Sequence, residues 1–367
     1  MEMKKVGIFT YHDIKNAYAC LFYLQKTLQG RAEVDVWGLT QQKEISGENY
    51  YSFLDTWYGK IPKVRALLSK LYFLIKARKY DVIIINDLDF FVEGIIVKHI
   101  YKNKVLIHYN TELYNEKDFS TFRYLLKFYE KHADEPDMII DCLSERAGYR
   151  EKLYSVTQPI YIIHNTIPNN IEDAETNLDI KNYLNFDNDL PIAIYAGGIN
   201  DDRGMRFILK DISKLRGKVN FVFFLYGNES HIKNVKDQYG KVENCRIYKP
   251  VERKTLFIIM RYCNIGIQYY DPTTGVNQYY AAPSKFYEYV AMGLNVVSSN
   301  NEGINHVIEK NKVGICIQPK ESFAEAVQRL LKQGLKSKEY IQQIFASKLC
   351  YEVDSQKAIK KITEFID

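Results

Sequence analysis

The sequence lacks the features that mark disulfide-bonded, zinc-binding and membrane-spanning proteins. Its six cysteines are scattered over 367 residues without a Cys-x-x-Cys pair, so their spacing predicts neither a disulfide framework nor a zinc site. No apolar run approaches the roughly 20 residues that a membrane-spanning helix needs. Residues 1–10 are typical of a first β-strand and not of a signal peptide. These absences predict a cytoplasmic protein in a reducing compartment.

Internal repeats, low-complexity tracts and the Gly-x-Gly-x-x-Gly dinucleotide fingerprint are also missing from the sequence. The net charge of +5 is too small to indicate a nucleic-acid partner on its own, and no recognised nucleic-acid-binding module is present. We therefore expect no nucleic acid among the partners. An apolar fraction of 46% is ample for buried cores, and 367 residues indicate about two domains.

One segment, residues 57–80, has a strongly biased charge. It contains lysines and arginines but no acidic residue, and apolar residues recur between them at roughly helical spacing. A basic amphipathic helix with aromatic residues can lie on an anionic membrane. A helix that packs on a core and leaves its basic face in solvent has the same pattern. Both interpretations stay open, and the first predicts peripheral attachment to the inner face of the cell membrane.

Short apolar runs alternate with helical segments along the whole chain, which predicts a parallel α/β architecture. Two such series are separated by a polar stretch. We predict an N-terminal Rossmann-like domain over 1–168, a linker over 169–189 and a C-terminal domain over 190–350, with a final helix at about 351–367 that can return to the first domain. The predicted strands are 6–9, 34–38, 82–86, 105–109, 138–142 and 160–164, then 192–195, 219–225, 245–248, 265–268, 294–298 and 314–317.

The most informative segment is 283–297. A proline at its start, a stop at Gly293 and a following apolar run indicate a helix and then a buried strand. Ser284, Lys285 and Glu288 fall in the first turns, and helix N-termini attract phosphate through free N–H groups and the helix dipole. A carboxylate one turn into the helix can accept hydrogen bonds from a ribose diol. The segment predicts a nucleoside diphosphate site; an ordinary amphipathic helix is the alternative.

A glycine-containing segment follows the predicted strand at 192–195. Gly197 and Gly198 would let backbone N–H groups approach a phosphate, and Arg203 at the start of the next helix would supply a charged clamp. The alternative is a tight turn with a surface arginine.

The Pro-x-Lys-x-x-Glu-Tyr pattern at 283–289 resembles that of family 4 of the retaining glycosyltransferases, where such a helix precedes a glycine and a hydrophobic strand. The resemblance implies the GT-B fold, with two Rossmann-like domains facing across a cleft. It implies a hexosyltransferase-type enzyme of class EC 2.4 that uses no metal or other cofactor. Its substrates would be a nucleotide diphosphate-sugar donor and a glycan or lipid-linked acceptor, as in bacterial surface polysaccharide synthesis.

The resemblance also implies roles for the residues of these two segments. Glu288 would hold the donor ribose, and Arg203 and Lys285 would neutralise the leaving diphosphate. Strand ends at Gly227 and around Lys249 and Val251 would wall the nucleobase pocket. A turn containing Gly303, in the segment after a later strand, would face a phosphate.

Two positions depart from the pattern of the family. Tyr280 stands where many relatives carry a second glutamate that contacts the donor sugar, and we expect Tyr280 to lie in this subsite. Gly198 stands where many relatives carry a further arginine. These departures keep open the alternative of a non-catalytic subunit that supports a partner enzyme. A nucleotide-sugar epimerase of the same fold is a second alternative, and Tyr280 argues against it.

Acceptor-side candidates come from the first half of the chain. Residues 86–89 and 107–114 resemble the aspartate-leucine-aspartate and histidine-glutamate-leucine-phenylalanine segments of the family. Glu112 matches the glutamate of the second segment, and His108 precedes it. His12 follows the first predicted strand. We expect Glu112, His12 or His108, in that order of preference, to orient the acceptor.

Overall fold

The computed structural model describes residues 3–12, 19–39, 49–56, 61–114, 123–171, 179–199 and 204–367. It divides the chain into two compact units, which are Met1–Ile167 with Asp354–Asp367, and Pro168–Val353. Each unit is built on one parallel β-sheet with helices between the strands. The predicted α/β class with two Rossmann-like sheets is confirmed.

The first unit contains a seven-stranded sheet. Its strands are β1 (Lys5–Phe9), β2 (Glu33–Gly38), β3 (Tyr50–Ser52), β4 (Val82–Asn86), β5 (Val105–Asn110), β6 (Met138–Asp141) and β7 (Ile160–Ile162). The helices between them are α1 (Ala19–Leu28), α2 (Pro62–Lys76), α3 (Phe91–Ile100), α4 (Arg123–His132) and α5 (Ser144–Tyr154). The strand order is β3-β2-β1-β4-β5-β6-β7, with all neighbours parallel.

The central strands are apolar because both faces of a parallel sheet are covered by other elements. Strand β4 reads Val-Ile-Ile-Ile-Asn, and all of it is buried. Strand β1 lies between β2 and β4, so the direction of the connections reverses beside it. Ligands of open α/β sheets bind at the carboxyl ends of the strands at such a reversal.

The second unit contains a six-stranded sheet. Its strands are β8 (Ile192–Gly198), β9 (Asn220–Tyr226), β10 (Cys245–Tyr248), β11 (Ile265–Gln268), β12 (Asn295–Ser298) and β13 (Gly314–Cys316). Its helices are α6 (Ile180–Leu184), α7 (Met205–Leu209), α8 (Glu229–Tyr239), α9 (Arg253–Tyr262), α10 (Val276–Tyr279), α11 (Ser284–Ala291), α12 (Glu302–Asn311), α13 (Phe323–Gln333) and α14 (Lys338–Ile344). The order β10-β9-β8-β11-β12-β13 reverses between β8 and β11.

Two short helices end the chain, α15 (Tyr351–Asp354) and α16 (Gln356–Ile366). Residues Asp354–Asp367 cluster with the first unit. Within that unit the carboxylate of Asp354 accepts from the backbone N–H of His164 at 2.7 Å and lies 2.6 Å from its Nδ1. In the part of the chain that the structure describes, every helix is too short or too polar to cross a bilayer.

The predicted strands differ from the observed ones mainly at their ends. The largest difference is at β8, which continues to Gly198, three residues beyond the predicted end at 195. Strand β3 was not predicted, because it has only three residues at the edge of the sheet and includes an exposed tyrosine. A short edge strand gives no apolar run to detect.

Helix α2 exposes an apolar face, hereafter the α2 apolar face, formed by Val64, Leu67, Leu71 and Ile75. These side chains are 36%, 61%, 49% and 54% exposed, whereas Phe73 on the opposite side is fully buried. The basic segment also packs Phe73 and Ala77 into the core of its unit, as its second interpretation predicts, so both interpretations stay open. Of that segment, residues 57–60 lie outside the described part of the chain.

Candidate active site

Helix α11 begins and ends as its sequence predicts. Pro283 is its N-cap, with a ψ of 125°, and the ring fixes φ for helix entry. The helix is followed by Gly293 in the left-handed region, at a φ of 82°. A Cβ at position 293 would lie 2.9 Å from the Cβ of Lys338, so both the backbone conformation and the packing require glycine there.

Glu288, on the second turn of α11, is buried with only 3% of its surface exposed. Its Oε2 lies 2.6 Å from Nζ of Lys285, and its Oε1 lies 2.8 Å from Nη2 and 3.2 Å from Nε of Arg253. Burial alone would raise the pKa of Glu288, but the positive charges of Lys285 and Arg253 outweigh burial and lower it. The carboxylate is therefore held ionised between two cations.

Sequence reasoning placed Lys285 beside Glu288 but missed Arg253. Residues three positions apart on a helix are neighbours, so the Lys285 contact follows from spacing. Arg253 begins a different helix, α9, and comes 35 positions before Glu288. In the sequence, Arg253 could have been noticed only as a basic residue that comes just after the predicted nucleobase-pocket segment.

The end of strand β8 leaves room beside its last glycine. A Cβ on Gly197 would lie 2.9 Å from the hydroxyl of Tyr195, which donates to the carbonyl of Gly198 at 2.8 Å. A Cβ on Gly198 would meet its nearest atoms, in Tyr226, at an ordinary 3.5 Å. Gly197 is thus needed for packing against Tyr195, whereas a ligand can approach the backbone of Gly198 closely because no side chain covers it.

Strands β8 and β11 separate toward their carboxyl ends. They pair only at Ala193 with Ile265 and at Ile194 with Gly266, although both strands continue. Farther along, the backbone N–H of Ala196 donates to the hydroxyl of Tyr289 at 3.2 Å. The ring of Tyr289 fits because position 266 is glycine, whose added Cβ would lie 2.4 Å from it. A tyrosine of α11 thus takes the place of further ladder bonds at the reversal point.

Strand β11 ends at this place in a buried amide. Gln268 is 3% exposed, and neither its Oε1 nor its Nε2 has a hydrogen-bond partner in the described part of the chain. A buried amide without partners is costly in a folded protein. The reversal point of the second unit therefore carries unused hydrogen-bonding capacity.

The remaining donor-side candidates lie near the same edge of the sheet. Gly227 and Lys249 directly follow β9 and β10 and are exposed, and Val251 is half-buried. Ser284 is the exposed first residue of α11. Carboxyl ends of parallel strands share one edge, so these positions belong to one side of the unit.

Three further donor-side candidates are Gly303, which differs from its prediction, and Tyr280 and Arg203, which stay predictions. Gly303 is a buried residue in the first turn of helix α12, not part of a turn between elements. Tyr280 is half-buried after α10, with its ring centroid 4.8 Å from that of Tyr279. Arg203 lies outside the described residues.

The acceptor-side candidates have different environments in the first unit. His12 is half-buried, and its Nε2 lies 3.2 Å from Oδ2 of Asp89. Glu112 is also half-buried, and its backbone N–H donates to Asp87 at 2.9 Å. Both follow carboxyl ends of strands, β1 and β5, so they can face a ligand there.

His108 must be removed from the acceptor-side candidates. It lies inside β5 with no exposed surface, and its Nε2 donates to the backbone carbonyl of Asp87 at 2.7 Å. Burial and the nearby charge of Arg150 lower the pKa of His108 to about 3. A fully enclosed neutral imidazole cannot contact an acceptor.

Asp87, the first aspartate of the Asp-x-Asp segment, joins the ends of β4 and β5. Its carboxylate accepts from the backbone N–H groups of Thr111, at 2.7 Å, and Glu112, and from the Thr111 hydroxyl. The side-chain amide of Asn86 donates a further bond at 3.1 Å. Asp87 has a φ of 49°, which is uncommon for a residue other than glycine. This network holds the backbone that carries Glu112.

Comparison with known proteins gives one family match and many similar folds. Residues 177–346 match the family model described as "Glycosyl transferases group 1". No curated protein sequence gave a significant match. Among solved structures, the chain is similar to a glycosyltransferase from Rickettsia africae ESF-5, at 13% identity, with 100% of each chain covered and a TM-score of 0.73.

Two further structures are similar over nearly the whole chain. HepE from Anabaena in complex with UDP has 15% identity and a TM-score of 0.72, with 99% of this chain and 100% of that chain covered. Sucrose-phosphate synthase from Thermosynechococcus elongatus has 13% identity and a TM-score of 0.70, with 98% of each chain covered. These likenesses show the GT-B fold class. Residues 177–346 form a glycosyl transferases group 1 domain, the family that the motif at 283–289 resembles, and the glycosyltransferase class of enzyme is confirmed for this domain.

Proposed function

We propose that the chain transfers a sugar from a nucleotide diphosphate-sugar to a glycan or lipid-linked acceptor, with retention of configuration and without a metal ion. The observation that carries the proposal is the ionised, buried Glu288 held between Lys285 and Arg253 at the start of α11. Such a carboxylate is a strong acceptor for the two hydroxyls of a ribose. We assign donor binding to the second unit and acceptor binding to the first.

The leaving diphosphate would be stabilised by groups around the start of α11. The N–H groups and dipole of a helix N-terminus favour an anion. Lys285 has three ammonium donors, of which one is used on Glu288, so the others can contact a phosphate. Arg203 is proposed as a further cation that contacts the same diphosphate. Fixed positive groups of this kind lower the barrier, because charge on the diphosphate grows in the transition state.

The nucleobase would lie beside the ends of β9 and β10, near Gly227, Lys249 and Val251. Tyr280 would contact the donor sugar. HepE, a protein of similar fold, is described in complexes with UDP and UDP-glucose, which supports testing uridine nucleotides first. On the acceptor side we propose that Glu112 and His12 orient the acceptor hydroxyl, with Asp89 holding His12.

We further propose that the acceptor is membrane-bound and that helix α2 brings the protein to it, at the inner face of the cell membrane. The α2 apolar face would enter the interface between headgroups and acyl chains. Several basic residues flank it, including the exposed Arg78 and Lys79 at the end of the segment. Cationic side chains beside an exposed apolar stripe favour an anionic lipid surface. Surface polysaccharide synthesis is the process that this combination supports.

The decisive experiment measures thermal stabilisation by UDP, GDP, ADP, CMP and their common sugar conjugates. We expect one nucleotide diphosphate to raise the Tm of the wild type and to have little effect on Glu288→Gln. The matched control is Glu321→Gln, because Glu321 pairs with Arg329 at 2.8 Å in the same unit but after β13. It should respond to the nucleotide as the wild type does.

Product analysis then separates the enzyme from its alternatives. Release of the nucleotide diphosphate together with a glycosylated acceptor from a membrane extract supports the transferase. Conversion of the nucleotide-sugar into its epimer would contradict the proposal and show that the protein is an epimerase. A well-folded wild type that binds no nucleotide diphosphate would contradict the proposal and favour the non-catalytic subunit.

A further inference from the structure

Arg253 presents a planar cation to the carboxylate of Glu288 from another helix. Its Nη2 and Nε both point at Oε1, at 2.8 and 3.2 Å, while Lys285 takes Oε2 at 2.6 Å. The Arg253 guanidinium carbon also lies 5.2 Å from the ring centroid of Phe257, one turn along α9. Contacts with a carboxylate and with an aromatic ring both restrict the guanidinium, which is preorganised by its planar shape.

The contacts of Glu288 limit what else it can accept. An ionised carboxylate offers about four lone-pair positions, and these contacts use three of them. About one position remains, whereas a ribose presents two hydroxyl donors. One cation contact must therefore be released when a ribose diol binds to both oxygens.

Lys285 is the contact that can be released at least cost. Its ammonium lies at the end of a flexible four-carbon stem, on the first turn of α11 where a diphosphate would offer it a new partner. Arg253 is held by Phe257 and by its two N–H contacts. Once Lys285 has moved to the phosphates, Arg253 is the cation that keeps the buried Glu288 ionised and oriented.

We infer that Arg253 is a positioning residue for ribose recognition: it fixes Glu288 while Lys285 is transferred to the diphosphate. The inference rests on the proposed function, because it requires a nucleoside diphosphate in this site. It predicts different roles for the two cations. Removal of Arg253 impairs binding only of ligands that carry ribose hydroxyls, whereas removal of Lys285 impairs binding of every ligand that carries the diphosphate.

The experiment compares ligand affinities by calorimetry for the wild type, Arg253→Met and Lys285→Met. The probes are UDP, GDP and ADP, each as the ribonucleotide and as the 2′,3′-dideoxynucleotide. We expect Arg253→Met to weaken binding of the recognised ribonucleotide by on the order of 10- to 100-fold and to change binding of its dideoxy form by less than about threefold. Lys285→Met should weaken both forms to a similar extent.

Two further variants control for structural effects. Arg253→Lys keeps the charge but removes the paired N–H groups of the guanidinium, so it should show the same ribose selectivity to a smaller degree. This variant replaces Arg253→Met if the latter does not fold. Arg246→Met is the matched control, since Arg246 also packs on an aromatic ring, Phe186, but donates to backbone carbonyls of residues 185, 243 and 245. It should leave both affinities unchanged.

The outcomes separate this inference from the proposed function. Equal losses for the ribo and dideoxy forms in the Arg253 variants, or no loss in either, would overturn the role of Arg253 while leaving donor binding intact. A wild type that binds none of the probes would instead contradict the proposed function.

Discussion

The guanidinium of Arg150 and the carboxylate of Asp141 form an ion pair in the interior of the first unit. Nε of Arg150 lies 2.6 Å from Oδ2 of Asp141, and their side chains are 1% and 0% exposed. Arg150 also donates to the hydroxyl of Tyr129 at 3.2 Å and to the backbone carbonyl of Glu112. One arginine of α5 thus connects the end of β6 with the loop that carries Glu112.

We expect Arg150→Met to lower the free energy of unfolding by about 3–5 kcal/mol, because Asp141 is left as a buried charge without its partner. Urea denaturation followed by circular dichroism would measure the change. The double variant with Asp141→Asn should recover part of the loss. Lys361→Met, which breaks an exposed ion pair with Glu364, should change little. Equal stability of Arg150→Met and the wild type would show that the pair does not support the fold.

The buried His108 should make stability depend on pH. Burial and the charge of Arg150 lower its pKa from 6.5 to about 3, so the unfolded chain takes up a proton before the folded chain does. The contribution of His108 is fully present above about pH 6.5 and is lost progressively as the pH falls toward 3. His108→Gln should therefore flatten the fall in stability over this window. His231→Gln, at an exposed histidine, should not, and identical slopes for His108→Gln and the wild type would refute the expectation.

Gly198→Ala tests whether a ligand approaches the end of β8. The added Cβ would make only ordinary contacts with Tyr226, so we expect the Tm to stay close to that of the wild type. If a diphosphate binds close to this backbone, affinity for the recognised nucleotide diphosphate should fall by about tenfold or more. Gly148→Ala, where a Cβ meets nothing within 4 Å, is the control for affinity. Unchanged affinity in Gly198→Ala would mean that the ligand does not lie against this residue.

The α2 apolar face can be tested with vesicles. Leu67→Glu with Leu71→Glu should reduce sedimentation with vesicles containing phosphatidylglycerol by about tenfold or more, because two charges would have to enter the apolar boundary. Ile100→Glu changes a side chain of α3 that is 64% exposed and should keep wild-type binding. Binding that persists in the double variant, or wild-type binding that is equal on vesicles of phosphatidylcholine alone, would argue against the proposed surface.

The strands could be predicted from the sequence because fully covered parallel strands are continuous apolar runs. The helix carrying Lys285 and Glu288 was equally accessible, since its start and its stop at Gly293 are local signals. Arg253 was missed because its partner is set by the packing of α9 against α11, which no local spacing encodes. His108 was misjudged although the predicted strand at 105–109 already contains it, because both faces of a central parallel strand are covered by other elements.

Glu288 and Tyr289 are adjacent in sequence and point to different sides of α11. Glu288 holds the two cations, while the hydroxyl of Tyr289 bonds Ala196 where β8 and β11 separate. A rigid helix cannot rotate or slide without displacing both side chains at once. A movement of α11 would thus change both the width of the gap between these strands and the position of the Glu288 carboxylate. A substitution at Gly266, whose added Cβ would meet the Tyr289 ring, should therefore displace the Glu288 carboxylate without contacting it.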